Sequence, residues 1–334
     1  MKTLWIACAL CLCATFAEGK PRKKKYLRPV THPVVLWART LSESTDAEQK
    51  KIAAFKLSQY SQPIFQEEAV QTLFKCLKDE TGDIRILCAK AMSRAGTQSR
   101  SESIRKVLLD YFKNAPDLQN TLIRTFIARK DSHPSVQAAL LDATPKVTDT
   151  ESLLVLMQYF EDFADGNNLD PIVELYNKTT SDRVRRAAVK VLADRGHGQD
   201  GVLSLLATCA IDKDTPLALN CLSGLQVQGR KDAKTWQAVE KTIQSADSDV
   251  LLATLDVINV LPETANSVVS QRLVEIIKTS EDAEILEKSL LALGVCGDQG
   301  ESVATTLLTI MEERTDDTNA RTSAALVLGK QGVV

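Results

Sequence analysis

Three histidines and eight cysteines are the residues of this 334-residue chain best suited to carry chemistry. His32, His133 and His197 all fall in turns or at the start of apolar-periodic segments, and the first two each precede a proline. No His-x-x-x-His or His-Glu spacing occurs, so the pairing that sets two zinc ligands on one helix face is missing. Neither a glycine-rich phosphate loop nor a Gly-x-Ser-x-Gly turn is present. With no base beside an oriented partner, the chain reads as a non-enzyme without catalytic residues, cofactor or metal.

The cysteines are more informative. Cys76 and Cys88 are twelve residues apart, and so are Cys209 and Cys221. In an oxidising compartment each pair could close a short loop and stabilise the fold by about 2–3 kcal/mol. One objection is geometric, since packed helix axes lie about 8–10 Å apart whereas bridged Cα atoms need to be within about 7 Å. Cysteine as a small apolar filler is the alternative. Cys296 has no equivalent at this spacing, and no Cys-x-x-Cys lies beyond the N-terminal apolar run, so zinc is poorly supported.

Basic side chains recur at helical spacing: Lys90 and Arg94, then Arg124 and Arg129. They could form a cationic ridge that meets a partner, with Glu161, Asp162 and Asp165 as an acidic counterpart. Ordinary solvated helix faces would explain both. Residues 20–145 hold 22 basic and 13 acidic side chains, while residues 146–334 hold 18 and 29, so the chain is a charge dipole. Nucleic acid fits poorly as a partner, because the net charge is −2 and aromatics for base stacking are only 5%.

Residues 1–19 have the grammar of a secretory signal peptide: Lys2, an apolar run from Leu4 to Phe16, and Ala17-Glu18-Gly19 as a small-x-small cleavage site. The expectation is export, periplasmic or secreted. Lys20, Arg22, Lys23, Lys24 and Lys25 follow at once, and positive charge there also suits a retained membrane anchor. Residues 20–29 then read as a disordered basic leader able to touch an anionic or membrane surface. Asn177-Lys178-Thr179 matches a glycosylation acceptor, which matters only in a eukaryotic secretory pathway.

The elements that must position these residues are helices. Apolar residues make up 44% of the chain, with few aromatics and only 14 glycines, a balance that favours an all-α fold. From anchor Arg185, Ala188, Leu192 and Gly196 stand at +3, +7 and +11. Arg85 and Arg321 repeat those offsets, and weaker copies start at Lys50, Asn120, Leu153, Ala218, Leu251 and Leu286. The nine anchors are 32 to 35 residues apart, each preceded by another apolar-periodic segment such as Ile64–Leu77 or Gly201–Ile211. Each unit is therefore predicted to be a helical hairpin whose second helix buries a stripe at +3 and +7, starts on an acid and ends on a left-handed glycine. One hairpin cannot bury its faces alone, but nine stacked from residue 30 to residue 334 can.

On these residues the chain resembles the HEAT-repeat family in its short, HEAT-like form. The carriers are Asp182-Arg183-Val184-Arg185-Arg186-Ala187-Ala188 with Gly196, Asp83-Ile84-Arg85 with Gly96, and Asp317, Arg321, Ala324-Ala325 with Gly332. The resemblance implies a right-handed α-solenoid whose second helices line a concave side that holds partner proteins. It also implies that Arg85, Arg185 and Arg321 tie neighbouring hairpins through aspartates at helix starts. The His-Glu pattern of the family's iron-binding hydroxylases is missing. An exported scaffold holding a protein or peptide follows, with a HEAT-like lyase, a ligand-handling protein, or an adaptor using the basic leader as alternatives. The last stripe ends without a polar capping helix, which also suggests self-association through the C-terminal end.

Overall fold

The computed structural model describes residues 32–96, 101–229, 232–262, 266–296, 301–314 and 317–330. Residues 1–19, which carry the signal-peptide pattern, and Lys20, Arg22, Lys23, Lys24 and Lys25 lie outside the described residues, as do Gly297 and Gly332. Eighteen α-helices follow one another among the described residues. The first six are α1 Pro33–Glu43, α2 Ala47–Gln59, α3 Glu67–Asp79, α4 Gly82–Ala91, α5 Ser101–Asn114 and α6 Gln119–Arg129. Next come α7 Pro134–Ala143, α8 Thr150–Phe163, α9 Asp170–Lys178, α10 Asp182–Arg195, α11 Asp200–Cys209 and α12 Thr215–Gln228. The array closes with α13 Ala233–Thr242, α14 Ser248–Val260, α15 Ser267–Thr279, α16 Ala283–Val295, α17 Glu301–Glu313 and α18 Thr318–Lys330.

Odd and even helices pair into nine hairpins that stack in chain order, an all-α helical-repeat solenoid. Even-numbered helices contact one another along most of the stack far more extensively than odd-numbered ones do. The second helices form the more closely packed row of the stack, referred to below as the inner row.

The periodic stripe is what holds the stack. Ala53, Cys88, Ile123, Leu156, Ala188, Cys221, Thr254, Ser289 and Ala324, all at +3, are buried. At +7 Leu57, Met92, Phe160, Leu192, Leu225, Ile258, Leu293 and Leu328 are buried, and Ile127 packs partly buried against them. Removing each large aliphatic from water stabilises by about 1.5–3 kcal/mol, so the stripe outweighs the capping contacts severalfold. Thr254 keeps its hydroxyl satisfied by donating to the Val250 carbonyl at 2.7 Å.

Acids start many second helices as expected. Asp247 accepts from the backbone N–H of Asp249 and Val250, Asp282 from Glu284 and Ile285, and Asp317 from Ala320. Asp182 and Asp83 depart from that pattern, since each sits inside the first turn of its helix and the preceding residue makes no side-chain cap. There they act on the helix dipole. The terminal glycines also divide. Gly229 caps α12 with φ +55°, the left-handed cap expected, whereas Gly96, at φ +93°, follows an extended Ala95 and donates its N–H to the Ile64 carbonyl. Gly196 has φ −84°, and a Cβ there would lie 2.6 Å from both the Leu192 carbonyl and Val202 Cγ1. Crowding under α11, not chirality, requires that glycine.

Gly224 marks the closest approach of two second helices. A Cβ on it would stand 2.8 Å from Ala193 Cβ and 2.9 Å from Leu206 Cδ1. Gly224→Ala gains about 1 kcal/mol of helix propensity but incurs about 1–3 kcal/mol of overpacking against an immovable Cβ. A net loss of stability in urea is the expected outcome; a more stable variant would show that α10 and α12 can move apart.

Candidate functional site

The inner ends of α4, α6 and α8 enclose a cleft of about 500 Å³. Lys90 comes from the last turn of α4, where a cation complements the helix dipole, and Arg94 from the 3-10 turn that continues it. Arg124 reaches in from the middle of α6. Ser58, Ser93, Asn120 and Thr121 add hydrogen-bonding groups, and Ile86 an exposed apolar one. Lys90 makes no hydrogen bond or ion pair among the described residues. Arg94 commits Nη1 to the Tyr60 carbonyl at 2.7 Å and keeps the rest of its guanidinium exposed.

One carboxylate faces these cations. Asp149 caps α8, accepting from the Ser152 N–H at 2.9 Å, and its Oδ2 lies 3.7 Å from Arg124 Nη2. Hydrogen bonding from Ser152 holds the Asp149 carboxyl below its usual range. Its pairing with Arg124 is solvent-exposed and therefore weak. Three cations against one anion leave the cleft net positive.

Arg129, expected on the same ridge, does not join it. Its Nη1 donates to the carbonyls of Met92 at 2.9 Å and Ala95 at 2.8 Å, closing the end of the preceding second helix. Burial pushes its pKa down. Arg195 repeats the device on Glu161, with Nε 3.1 Å from that carbonyl, and Gln228 repeats it on Gly196 at 3.0 Å. These ties satisfy carbonyls that every helix end leaves open. Sequence pattern gave no sign of them, because the acceptors are backbone atoms one repeat away.

The expected acidic counterpart is also committed internally. Glu161 pairs with Lys190 at 2.6 Å, and Asp165 accepts the Asn167 N–H in its own loop. Arg85 and Arg185 do tie hairpins together. Arg85 reaches Asp117 at 3.2 Å and stacks on Tyr111, while Arg185 reaches Asp212 at 3.1 Å and stacks on Tyr176. Both acceptors precede the next second helix, Asp117 by two residues and Asp212 by three. Arg183 and Arg186 pair outward to Glu151 and Asp214.

His32 and His133 are helix caps, each accepting a backbone N–H on Nδ1 two residues before a proline-led first turn closes. No group of three or more metal-binding side chains forms among the described residues. Likewise none of the described helices is long and apolar enough to cross a membrane. Cys76 joins Cys88 and Cys209 joins Cys221, with Cα atoms 6.3 and 5.9 Å apart. The axis-spacing objection fails because two facing Cα atoms each sit about 2.3 Å inside their axes' separation. Cys296 is buried in the last repeats.

No protein-family model matches the chain, and no curated protein matches it in sequence. Solved structures do resemble it. An engineered protein solved by a structural genomics consortium aligns at a TM-score of 0.54 with 17% identity, covering 90% of this chain and 89% of that one. This likeness shows the helical-repeat fold. The CpcE–CpcF complex of phycocyanin lyase from Nostoc aligns at a TM-score of 0.37 with 15% identity, over 85% of this chain and all of that chain. The non-enzyme expectation is corrected here, since a lyase stands among the matching structures. That likeness assigns no residue or reaction to this chain.

Proposed function

We propose that the chain is an exported, HEAT-like scaffold that holds a protein or peptide segment along its inner row of second helices. The observation that carries this reading is the cleft itself. It gathers three cations from two adjacent repeats, surrounds them with neutral donors and acceptors, and leaves Lys90 without an internal partner. Carboxylate-bearing chain is the chemistry that suits it, since Arg forks bind carboxylates in two-point geometry and Lys adds a point charge. The two intra-hairpin disulfides favour an oxidising compartment, in keeping with the N-terminal export grammar.

The test compares capture from the exported fraction of the source cell by the wild-type protein and by Lys90→Glu/Arg94→Glu/Arg124→Glu. All three side chains are exposed, so the variant is expected to fold. A protein retained by the wild type and reduced at least about tenfold by the variant supports the proposal, as each lost charge contact is worth about a kcal/mol or more. Recovery of no protein, with a small molecule co-purifying instead, overturns it.

A further inference from the structure

The row of second helices changes sign along its length. Lys90, Arg94 and Arg124 make α4 and α6 positive, and the next two helices of the row, α8 and α10, are negative. Glu161 and Asp162 from α8 and Asp194 from α10 gather around Lys190. Glu161 hydrogen-bonds it and raises its pKa, and Asp194 and Asp162 add to the same field. Three carboxylates against one cation leave this patch net negative. Asp162 and Asp194 are exposed, and neither carboxylate makes a hydrogen bond or ion pair among the described residues. Each is the last residue but one of its helix, where the carbonyl end of the dipole disfavours an anion. Both stand nine residues after their anchors, the place that Arg94 takes after Arg85. A local rule broken on two neighbouring helices, with no compensation inside the chain, points to a cation from outside it.

We propose that the partner on this face is a second copy of the chain, turned end for end. The inference rests on the proposed inner-face reading and names its partner. A surface positive in one half and negative in the other is complementary to itself about one two-fold axis, lying along the second helices between α6 and α8. That axis sets α4 over the other copy's α10, and α6 over its α8. A two-fold along the stack would set like charge on like. Arg94 and Asp194 share one height in the repeat, so they meet across the axis and the contact occurs twice. Arg124 comes over Glu161 and Asp162, about one helical turn further along α8, an offset its long side chain spans. Lys90 comes over Lys190, whose charge Glu161 already holds. From α4 to α10 is three helix steps of about 8–10 Å, and the 14-residue helices α8 and α10 are each about 21 Å long. The footprint is therefore about 700 Å², close to the roughly 800 Å² that each partner buries in a standard interface.

Sedimentation equilibrium of the full chain tests this. The wild type is expected to dimerise at low salt and to dissociate as salt screens the exposed pairs. Arg94→Asp and Asp194→Arg each create two like-charge contacts across the axis and are expected to raise the dimer Kd at least about tenfold. Mixed in equal amounts, the two variants restore a dimer, because both contacts then join opposite charges. That recovery also shows that both are folded. Arg94→Asp loses the bond to the Tyr60 carbonyl, so Asp194→Arg, whose wild-type carboxylate has no internal partner, carries the test by itself if circular dichroism shows the first variant unfolded. A wild-type monomer at about 100 μM in low salt, a dimer that ignores Asp194→Arg, or a mixture of folded variants that stays monomeric overturns the second copy. The inner-face reading survives any of these if the capture experiment returns a different protein, and fails with it if none is returned.

Discussion

Phe160→Ala is expected to lower stability by about 3–5 kcal/mol and to split the single unfolding transition into two. Phe160 is fully buried at the +7 position of α8, with its ring centroid 5.5 Å from that of Tyr159. Tyr159 is itself buried and donates its hydroxyl to the Asp131 carbonyl at 2.6 Å, so neighbouring side chains are held in place and cannot collapse into the space. A cavity term therefore adds to the lost transfer energy. Because α8 packs on both α6 and α10, the damage falls on the interfaces of the fourth hairpin with the third and the fifth. In a stack whose units meet only their neighbours, weakening one interface decouples the two sides. Circular dichroism in urea reads both outcomes, and a single sharp transition with an unchanged midpoint would count against nearest-neighbour coupling at this point.

Removing the second disulfide carries the next largest effect. Cys209→Ala/Cys221→Ala opens a loop that closes over a separation of twelve residues, and the chain-entropy estimate for such a loop is about 3 kcal/mol. Alanine is the suitable replacement because both sites are buried, at 2% and 0% exposure, and serine would add an unsatisfied hydroxyl. The loss is local to the sixth hairpin and reaches the others through its contacts with α9, α10, α13 and α14. Alkylation of the wild-type protein under denaturing, non-reducing conditions should leave Cys76, Cys88, Cys209 and Cys221 unmodified. If all four take the label in protein purified from its own compartment, the staple and the export argument built on it both fail.

Most of the architecture is legible in the sequence because one property, burial at +3 and +7, recurs in every repeat. A periodic apolar stripe states its own face, and Asp247, Asp282 and Asp317 announce the helices they start. Legibility ends where a residue's partner is backbone or lies one repeat away. Arg129 looks like a surface cation beside Arg124, yet its acceptors are the carbonyls of Met92 and Ala95, which have no sequence signature. Gly196 looks like a left-handed cap, yet Val202 decides its size. Within the candidate site, Lys90, Arg94 and Arg124 could be read from spacing.

Photo-crosslinking tests the inner-face claim most directly. Benzoylphenylalanine replaces Asn120, an exposed residue lining the cleft on α6, or Lys113, an exposed residue on the first helix α5 of the same hairpin. On illumination in the exported fraction, the account predicts a covalent adduct to a second polypeptide from position 120 and none from position 113. An adduct from position 113 alone would contradict it, placing the partner on the outer helices and leaving the cationic cleft as solvated surface.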